Sequence, residues 1–287
     1  MIRNVFEIHG LECAYVHRMN REKNTVLRID NLSVPMGKLS VILGPSGSGK
    51  STLIETLGLM NNTINKGHVN YNHETGCVKI NREMWLNGKE LTRIRNEHFS
   101  FIFQSDFLMP YYSPEENMMI GSLIRKCDHR HESDPADLKS FCRQMGLNFA
   151  EINSKNTAEL SVGQKQRLSF IRAMVKKSSV IFGDEPTGNL DELNSELLLD
   201  VLKRSIRSNG HQSALLVSHN ILLSVAKADF IILLSPCGDM YEVHRDNVFA
   251  RSPGRWENGS GMILSDDDLT SRIRMVVNYS SPARFSV

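Results

Sequence analysis

Residues Gly44-Pro45-Ser46-Gly47-Ser48-Gly49-Lys50-Ser51-Thr52 satisfy the pattern GxxxxGK[ST] in full. The glycines let backbone N–H groups converge on phosphate oxygens without Cβ atoms in the way. Lys50 supplies a point charge for the β- and γ-phosphates, and the Ser51 hydroxyl is a ligand for Mg²⁺. A helix beginning here adds the positive end of its dipole. Further along, Val180-Ile181-Phe182-Gly183 runs into Asp184-Glu185. An apolar strand ending in two carboxylates puts them where an open parallel sheet presents its ligand site. In that setting Asp184 suits the Mg²⁺ shell and Glu185 suits a general base that polarises an attacking water. Alone, an Asp-Glu pair after an apolar run also reads as a helix cap. Downstream of a phosphate loop it reads as the loop's complement.

The elements that must hold these groups are visible in the hydrophobic pattern. Lys38–Leu43 is an apolar run that stops at glycine, and Leu53, Ile54, Leu57 and Leu59 follow at helical spacing. The order is strand, glycine turn, helix. Val5–Ile8 and Val26–Ile29 begin earlier strands. The polar, Asn-rich Asn61–Gly76 reads as a long surface loop. Val78–Leu86 with Asn87-Gly88 reads as a hairpin. From Ser113 to Gly146 the pattern is helical, with Pro114 and Pro135 at helix starts, and it stays helical through Gln164–Lys177. Strand candidates return at Ser179–Phe182 and Ser213–Val217, separated by the helical Glu192–Arg207. Phe230–Leu234 and Met240–Val243 are expected to close as a hairpin. Alternating strands and helices argue for an α/β core, and the helical middle for an inserted subdomain. No internal repeat is present.

Composition narrows the class. Hydrophobic residues make up 40% and charged residues 23%, enough to bury a sizeable core in 287 residues. Lys+Arg of 34 against Asp+Glu of 32 leaves only +2, so no global charge calls for nucleic acid or an anionic membrane. The longest apolar run, Phe230–Leu234, is far short of the roughly 20 residues a membrane span needs. The N-terminus carries no apolar signal core. A cytoplasmic, soluble chain is expected. Five cysteines without a CxxC pair argue against a disulfide framework or a structural zinc. The cluster Cys127-Asp128-His129-Arg130-His131-Glu132 reads as a solvated loop rather than a metal site.

Leu160-Ser161-Val162-Gly163-Gln164-Lys165-Gln166-Arg167 resembles the signature motif of the ATP-binding cassette (ABC) ATPases, and stands just upstream of the Asp-Glu strand. Phe103-Gln104 resembles that family's Q-loop, Gly188-Asn189-Leu190-Asp191 its D-loop, and His219 its switch histidine. Tyr15 lies where such cassettes place the aromatic that stacks on adenine. The resemblance covers roughly residues 2–243, every motif in family order. It implies an α/β P-loop NTPase core with an antiparallel β subdomain and an inserted helical subdomain at about 105–175. It implies ATP and Mg²⁺, with Lys50, Gln104, Glu185 and His219 catalytic and Ser51, Gln104 and Asp184 at the metal. Gly44 to Thr52 and Tyr15 would bind the nucleotide of their own chain. Ser161, Gly163, Gln164 and Asp191 would meet the γ-phosphate held by a second cassette. One cassette per chain therefore implies a dimer. Val162 replaces the first glycine of the common LSGGQ form, while the neighbouring Gly163 is kept.

Asp184–Asp191 and Phe101–Pro110 are similar to one subgroup, the ATPases of lipoprotein-releasing, macrolide-exporter and cell-division type systems. That likeness implies a homodimer on integral membrane permease subunits at the inner face of the cell membrane, with no nucleic acid partner. A soluble ABC ATPase acting on nucleic acid or ribosomes is the alternative, but such proteins carry a long coiled-coil insert or a second cassette. A non-hydrolytic regulatory module is disfavoured by intact Lys50, Asp184, Glu185 and His219. The cassette is assigned to residues 2–245 and a C-terminal extension to 246–287. In that extension Ser265-Asp266-Asp267-Asp268, ahead of Leu269, Ile273, Met275 and Val276, reads as an acidic helix start and a turn or two of amphipathic helix. The extension is expected to pack on the cassette or on its dimer mate. Truncation after about residue 245 is expected to leave ATP binding intact but to weaken dimerisation or stimulation by the permease.

Overall fold

The computed structural model describes residues 3–16, 22–125 and 135–278. The Cys127–Glu132 cluster lies outside them. The chain builds two sheets. Strands β1 (Asn4–Val16), β2 (Lys23–Pro35), β4 (Ile64–His73) and β5 (Gly76–Ile80) form most of a twisted, mainly antiparallel sheet. It is completed by the short β10 (Ser235–Cys237) and β11 (Met240–Glu242), in the order β10-β11-β2-β1-β4-β5. The second sheet contains β3 (Leu39–Leu43), β6 (Phe99–Ile102), β7 (Val180–Asp184), β8 (Ser213–Val217) and β9 (Phe230–Leu233) as parallel neighbours. Beyond β9 it continues antiparallel through β12 (Val248–Ser252), β13 (Arg255–Asn258) and β14 (Ile263–Leu264), giving the order β14-β13-β12-β9-β3-β8-β7-β6. Strands β3, β8 and β9 are buried along their whole length, which is why they read as unbroken apolar runs rather than alternating ones.

Helices cover the second sheet: α1 (Lys50–Leu57), α7 (Glu192–Asn209), α8 (Ile221–Lys227) and α9 (Asp266–Asn278). Helix α2 (Gly88–His98) leads into β6, and α3 (Pro114–Arg125), α4 (Pro135–Gln144), α5 (Phe149–Asn153) and α6 (Val162–Val175) make the helical insertion. Pro114 and Pro135 stand at N1 of their helices, where the missing N–H has no intrahelical partner to lose. A buried Asn117 organises the insertion: its amide donates to the carbonyls of Met109, Tyr112 and Ser113 and to the Thr157 hydroxyl.

Three sequence readings change. Asn61–Gly76 is not a surface loop: β4 pairs with β1, setting Tyr71 opposite Phe6 and Val69 opposite Ile8, with Ile64, Val69 and Tyr71 buried. Its asparagines occupy the less buried positions between them, and their polarity hid the alternation. Asn87-Gly88 is not a hairpin turn. Asn87 caps α2, its side chain accepting the Glu90 N–H at 3.2 Å, and asparagine suits both roles. Phe230–Leu234 and Met240–Val243 do not pair with each other. After β9 the chain crosses to the other sheet, where β10 pairs with β11. The residues after Glu242 are more regular than their composition suggests, forming three strands and a helix of 13 residues. Phe249, Trp256, Leu269 and Ile273 from this stretch are fully buried. No helix among the described residues is long and apolar enough to cross a membrane.

Candidate active site

The order β3-β8-β7-β6 brings the carboxyl ends of four parallel strands side by side, and each delivers one part of the site. From β3 comes the glycine loop. Gly44, Gly47 and Gly49 all have positive φ (154°, 73° and 88°), and a Cβ at Gly44 would lie 3.0 Å from both the Leu234 carbonyl and the Ser48 hydroxyl. No other residue type fits that turn without strain. The loop ends on Lys50, the first residue of α1, whose side chain is buried and curls back to donate to the carbonyls of Gly44 (3.0 Å) and Pro45 (2.7 Å). An ammonium has three protons, so these two bonds leave one for a phosphate oxygen. Burial pulls the Lys50 amine below its usual value, against the opposing pull of Glu185 and Asp184. Ser46, Gly47 and Ser51 face solvent at the loop mouth, while Pro45, Ser48 and Thr52 are buried.

Strand β7 delivers Asp184 and Glu185. The Asp184 Oδ1 and the Ser48 Oγ are buried and have no hydrogen-bond partner among the described residues. Native interiors seldom leave such atoms unpaired. A hydrated cation beside phosphate oxygens would satisfy both, so the donor set fits Mg²⁺. Glu185 has φ of 50°, the left-handed region, a conformation non-glycine residues adopt at some cost. Its N–H donates to the Val217 carbonyl at the end of β8 (3.1 Å), fixing the twist. The turn after β8 delivers His219, whose Nε2 lies 2.8 Å from the Glu185 carboxylate. Sequence reasoning named both residues, and the structure makes them a pair. It missed the residues that set this turn: the Ser218 hydroxyl accepts the Asn220 N–H, and Asn220 caps α8.

From the end of β6 the chain passes Gln104, which is exposed. Its side-chain amide is one of the nearest groups a Cβ on Gly188 would meet, and its carbonyl accepts from Asn189. Gln104 thus belongs to the turn that follows Glu185. Tyr15 is 41% exposed beside the start of α1, its hydroxyl 3.1 Å from the Thr52 hydroxyl and also accepting from Asn61. Its side chain thus borders the end of the phosphate loop and is partly open to solvent.

The signature residues point elsewhere. Ser161 caps α6 by accepting from the Gln164 N–H, and the Gln164 side-chain oxygen accepts from the Ser161 N–H in return. Ser161 and Val162 are exposed, and a Cβ at Gly163 would meet nothing within 4 Å. This open helix start has unpaired backbone donors and presents them outward. Asp191 caps α7, accepting from the Asn194 backbone and side chain, which hold its carboxyl below the usual carboxylate range. Two further residues tie these parts together. Gln166 donates from α6 to the Pro186 carbonyl (2.9 Å), and the Arg172 guanidinium donates to the carbonyls of Asp106 and Phe107. Mid-helix polar residues carry no local signal of such roles.

The sequence profile of the ABC transporter family matches residues 27–188. Among curated proteins, the ATP-binding protein LolD of the lipoprotein-releasing system of Zymomonas mobilis is 33% identical over 234 residues, covering 80% of this chain and 93% of that protein. The macrolide export ATP-binding/permease protein MacB of Pasteurella multocida is 32% identical over 82% of this chain but only 33% of its own, longer sequence. Among solved structures, the dimeric bacterial ABC transporter cassette MJ0796 superposes with a TM-score of 0.69 at 26% identity, covering 90% of this chain and all of that one. The same cassette in a dimeric post-hydrolysis state bound to ADP and Pi gives 0.67 at 25%. None of these relatives favours the nucleic-acid or ribosome alternative. The chain belongs to the ABC transporter family and is an ATP-hydrolysing cassette of it.

Proposed function

We propose that two copies of this chain close head to tail over two ATP molecules and drive an integral membrane permease of the lipoprotein-releasing or macrolide-exporting type from the inner face of the membrane. The supporting observation is a division of labour within one chain. The phosphate loop, Asp184, Glu185 and His219 converge at the carboxyl ends of β3, β7 and β8, whereas Ser161 and Gly163 form a helix start open to solvent. A helix start that is capped only by its own Ser161 and Gln164 and is otherwise open to solvent suits a phosphate delivered by another chain.

In this reading Gly44 to Thr52 cradle the phosphates, Lys50 neutralises the β- and γ-oxygens, and Tyr15 stacks on adenine. Ser51, Asp184 and Gln104 hold Mg²⁺, which when bound neutralises charge that builds on the phosphate oxygens. Glu185 takes the proton of the attacking water, and His219, 2.8 Å away, orients that carboxylate and the γ-phosphate. Ser161, Gly163, Gln164 and Asp191 complete the partner's site. Residues 2–245 would be the cassette, with residues 105–175 facing the permease, and 246–287 an extension joined to it by the shared sheet.

The test uses the full chain carrying Glu185→Gln, which keeps the shape of the site without its base. With Mg²⁺ and ATP it is expected to run as a dimer by light scattering, and without nucleotide as a monomer. Adding Lys50→Ala is expected to abolish the dimer. A monomer at saturating ATP contradicts the proposal, as does a tagged chain that brings down no membrane-spanning subunit from solubilised membranes.

A further inference from the structure

We propose that Arg251, in the C-terminal extension, is a positioning residue for His219, acting through helix α8. The inference rests on the reading that His219 takes part in hydrolysis. The His219 side chain is 50% exposed, and apart from Glu185 its place depends on the turn joining β8 to α8. That turn is short and stiff. Asn220 caps α8 through the Leu223 N–H (3.0 Å), and the Ser224 hydroxyl closes back on the Asn220 carbonyl (2.6 Å). A helix of seven residues has little stability of its own, so the seat of α8 decides where His219 points.

The extension supplies much of that seat. Arg251, on β12, donates a hydrogen bond from its guanidinium to the Val225 carbonyl within α8. The same guanidinium reaches the Asp266 carboxylate at the start of α9 (3.2 Å) and lies 4.7 Å from the ring centre of Trp256. Trp256 in turn donates to Asp266 at 2.8 Å. One side chain thus locks β12, β13 and α9 onto α8. From α9, the buried Leu269 and Ile273 join Leu223 and Val225 of α8 in one core. The last residue of α8, two beyond Val225, is also held by the cassette itself, through Lys203 to the Lys227 carbonyl and Lys227 to Asp200 (2.8 Å). Of these contacts, only those from Arg251 and α9 belong to the extension. Nothing in the phosphate loop touches them, so loosening α8 should disturb the chemical step and spare nucleotide binding. Small displacements of a catalytic group typically cost one to two orders of magnitude in rate.

The experiment compares the full chain with Arg251→Met, Arg251→Lys and Asp266→Asn. Arg251→Met is expected to lower kcat for ATP about tenfold with KM within about twofold. Arg251→Lys, which keeps a donor for Val225, is expected to recover most of the rate, and Asp266→Asn to give an intermediate loss. In a proton–carbon spectrum of histidine-labelled protein, the His219 imidazole signal is the one missing from His219→Gln. It is expected to shift or broaden in Arg251→Met while the His73 and His98 signals stay in place. Unchanged kcat, a KM that rises in step with lost kcat, or a slower enzyme whose His219 signal is unmoved would each overturn the proposal. If the wild-type chain does not turn over, the hydrolysis reading fails, while the resonance still decides whether Arg251 positions His219. If His219→Gln turns over normally, both readings fall. If it is slow and Arg251→Met is normal, only this one does.

Discussion

Glu185 carries a left-handed backbone, φ of 50°, at the position assigned to the general base, and two substitutions separate backbone strain from chemistry. Glu185→Gly removes the side chain and allows the left-handed conformation freely. Glu185→Gln keeps the strain and removes only the base. A non-glycine residue in this region costs about 1–2 kcal/mol. Against that gain, the glycine variant loses the contact with His219, which is half exposed and so worth no more than about 0–1 kcal/mol. The net expectation for Glu185→Gly is a gain of about 1 kcal/mol. At roughly 2–4 °C per kcal/mol for a chain of this size, its unfolding midpoint should rise by about that much. Glu185→Gln should melt within about 1 °C of the wild type, since its backbone is unchanged. Both should lose about 10²–10⁴-fold in hydrolysis, the usual worth of a general base. Both should keep the stabilisation by saturating ATP, about 2.7 kcal/mol at a hundredfold excess over Kd, because the phosphate loop is untouched. Thermal unfolding with and without Mg²⁺ and ATP, alongside phosphate release, reads all of this. A glycine variant that melts below the glutamine variant would refute the strain argument, and a fast glutamine variant would remove Glu185 as the base.

Three further outcomes follow from the structure. Burial holds the Lys50 amine below the ordinary 10.5, and bound phosphates should raise it again. Between the lowered value and 10.5, ATP binding should then take up a proton and weaken as pH rises; calorimetry over a series of alkaline pH values, in two buffers of different ionisation enthalpy, should show that uptake, absent in Lys50→Met. Trp256, fully buried and bonded to Asp266, should cost about 3–5 kcal/mol when replaced by alanine. Truncation after residue 245, expected from the sequence alone to spare ATP binding and weaken dimerisation or coupling, should instead leave an insoluble chain, because it strips β12 from β9 and bares Phe230-Ile231-Ile232-Leu233 as an edge strand. A truncated chain that stays soluble and binds ATP would contradict this.

What could be read from the sequence was whatever is local. The phosphate loop is contiguous, so its pattern alone placed Gly44 to Thr52 between a strand and a helix. The buried parallel strands are apolar along their length, and Ser213–Val217 stands where its composition put it. The pairings were not legible, because they are decided by partners far along the chain. Leu234 and Ser235 are adjacent, yet the strands before and after them join different sheets. Asn87 looked like a turn because asparagine serves turns and helix caps by the same side-chain acceptor. The strands of the extension carried no local signal because their anchors are spaced far apart: Phe249, Trp256, Leu269 and Ile273 converge only once β12 has paired with β9. In the site, residue types named Glu185 and His219, but only the fold sets them 2.8 Å apart.

The hydrogen bonds between subdomains suggest how one chain couples its two roles. The α6 start that is assigned to the partner's phosphate lies on the same helix as Gln166, which grips the Pro186 carbonyl one residue beyond the chain's own Glu185. The same helix carries Arg172, which holds the loop that follows Gln104, and Asn189 closes the ring by donating to the Gln104 carbonyl. These three bonds connect the helical insertion, the loop after β6 and the turn after β7. A movement of the insertion that docks Ser161 and Gly163 on a partner would pull, through them, on the turn that carries Glu185. In a head-to-tail dimer each chain would set its own base as it completes the other's site, so both sites close together. Coupling of this kind needs no element beyond the bonds already present. It places the demand for precision on α6 and its two polar side chains rather than on the phosphate loop, which can hold ATP in an isolated subunit.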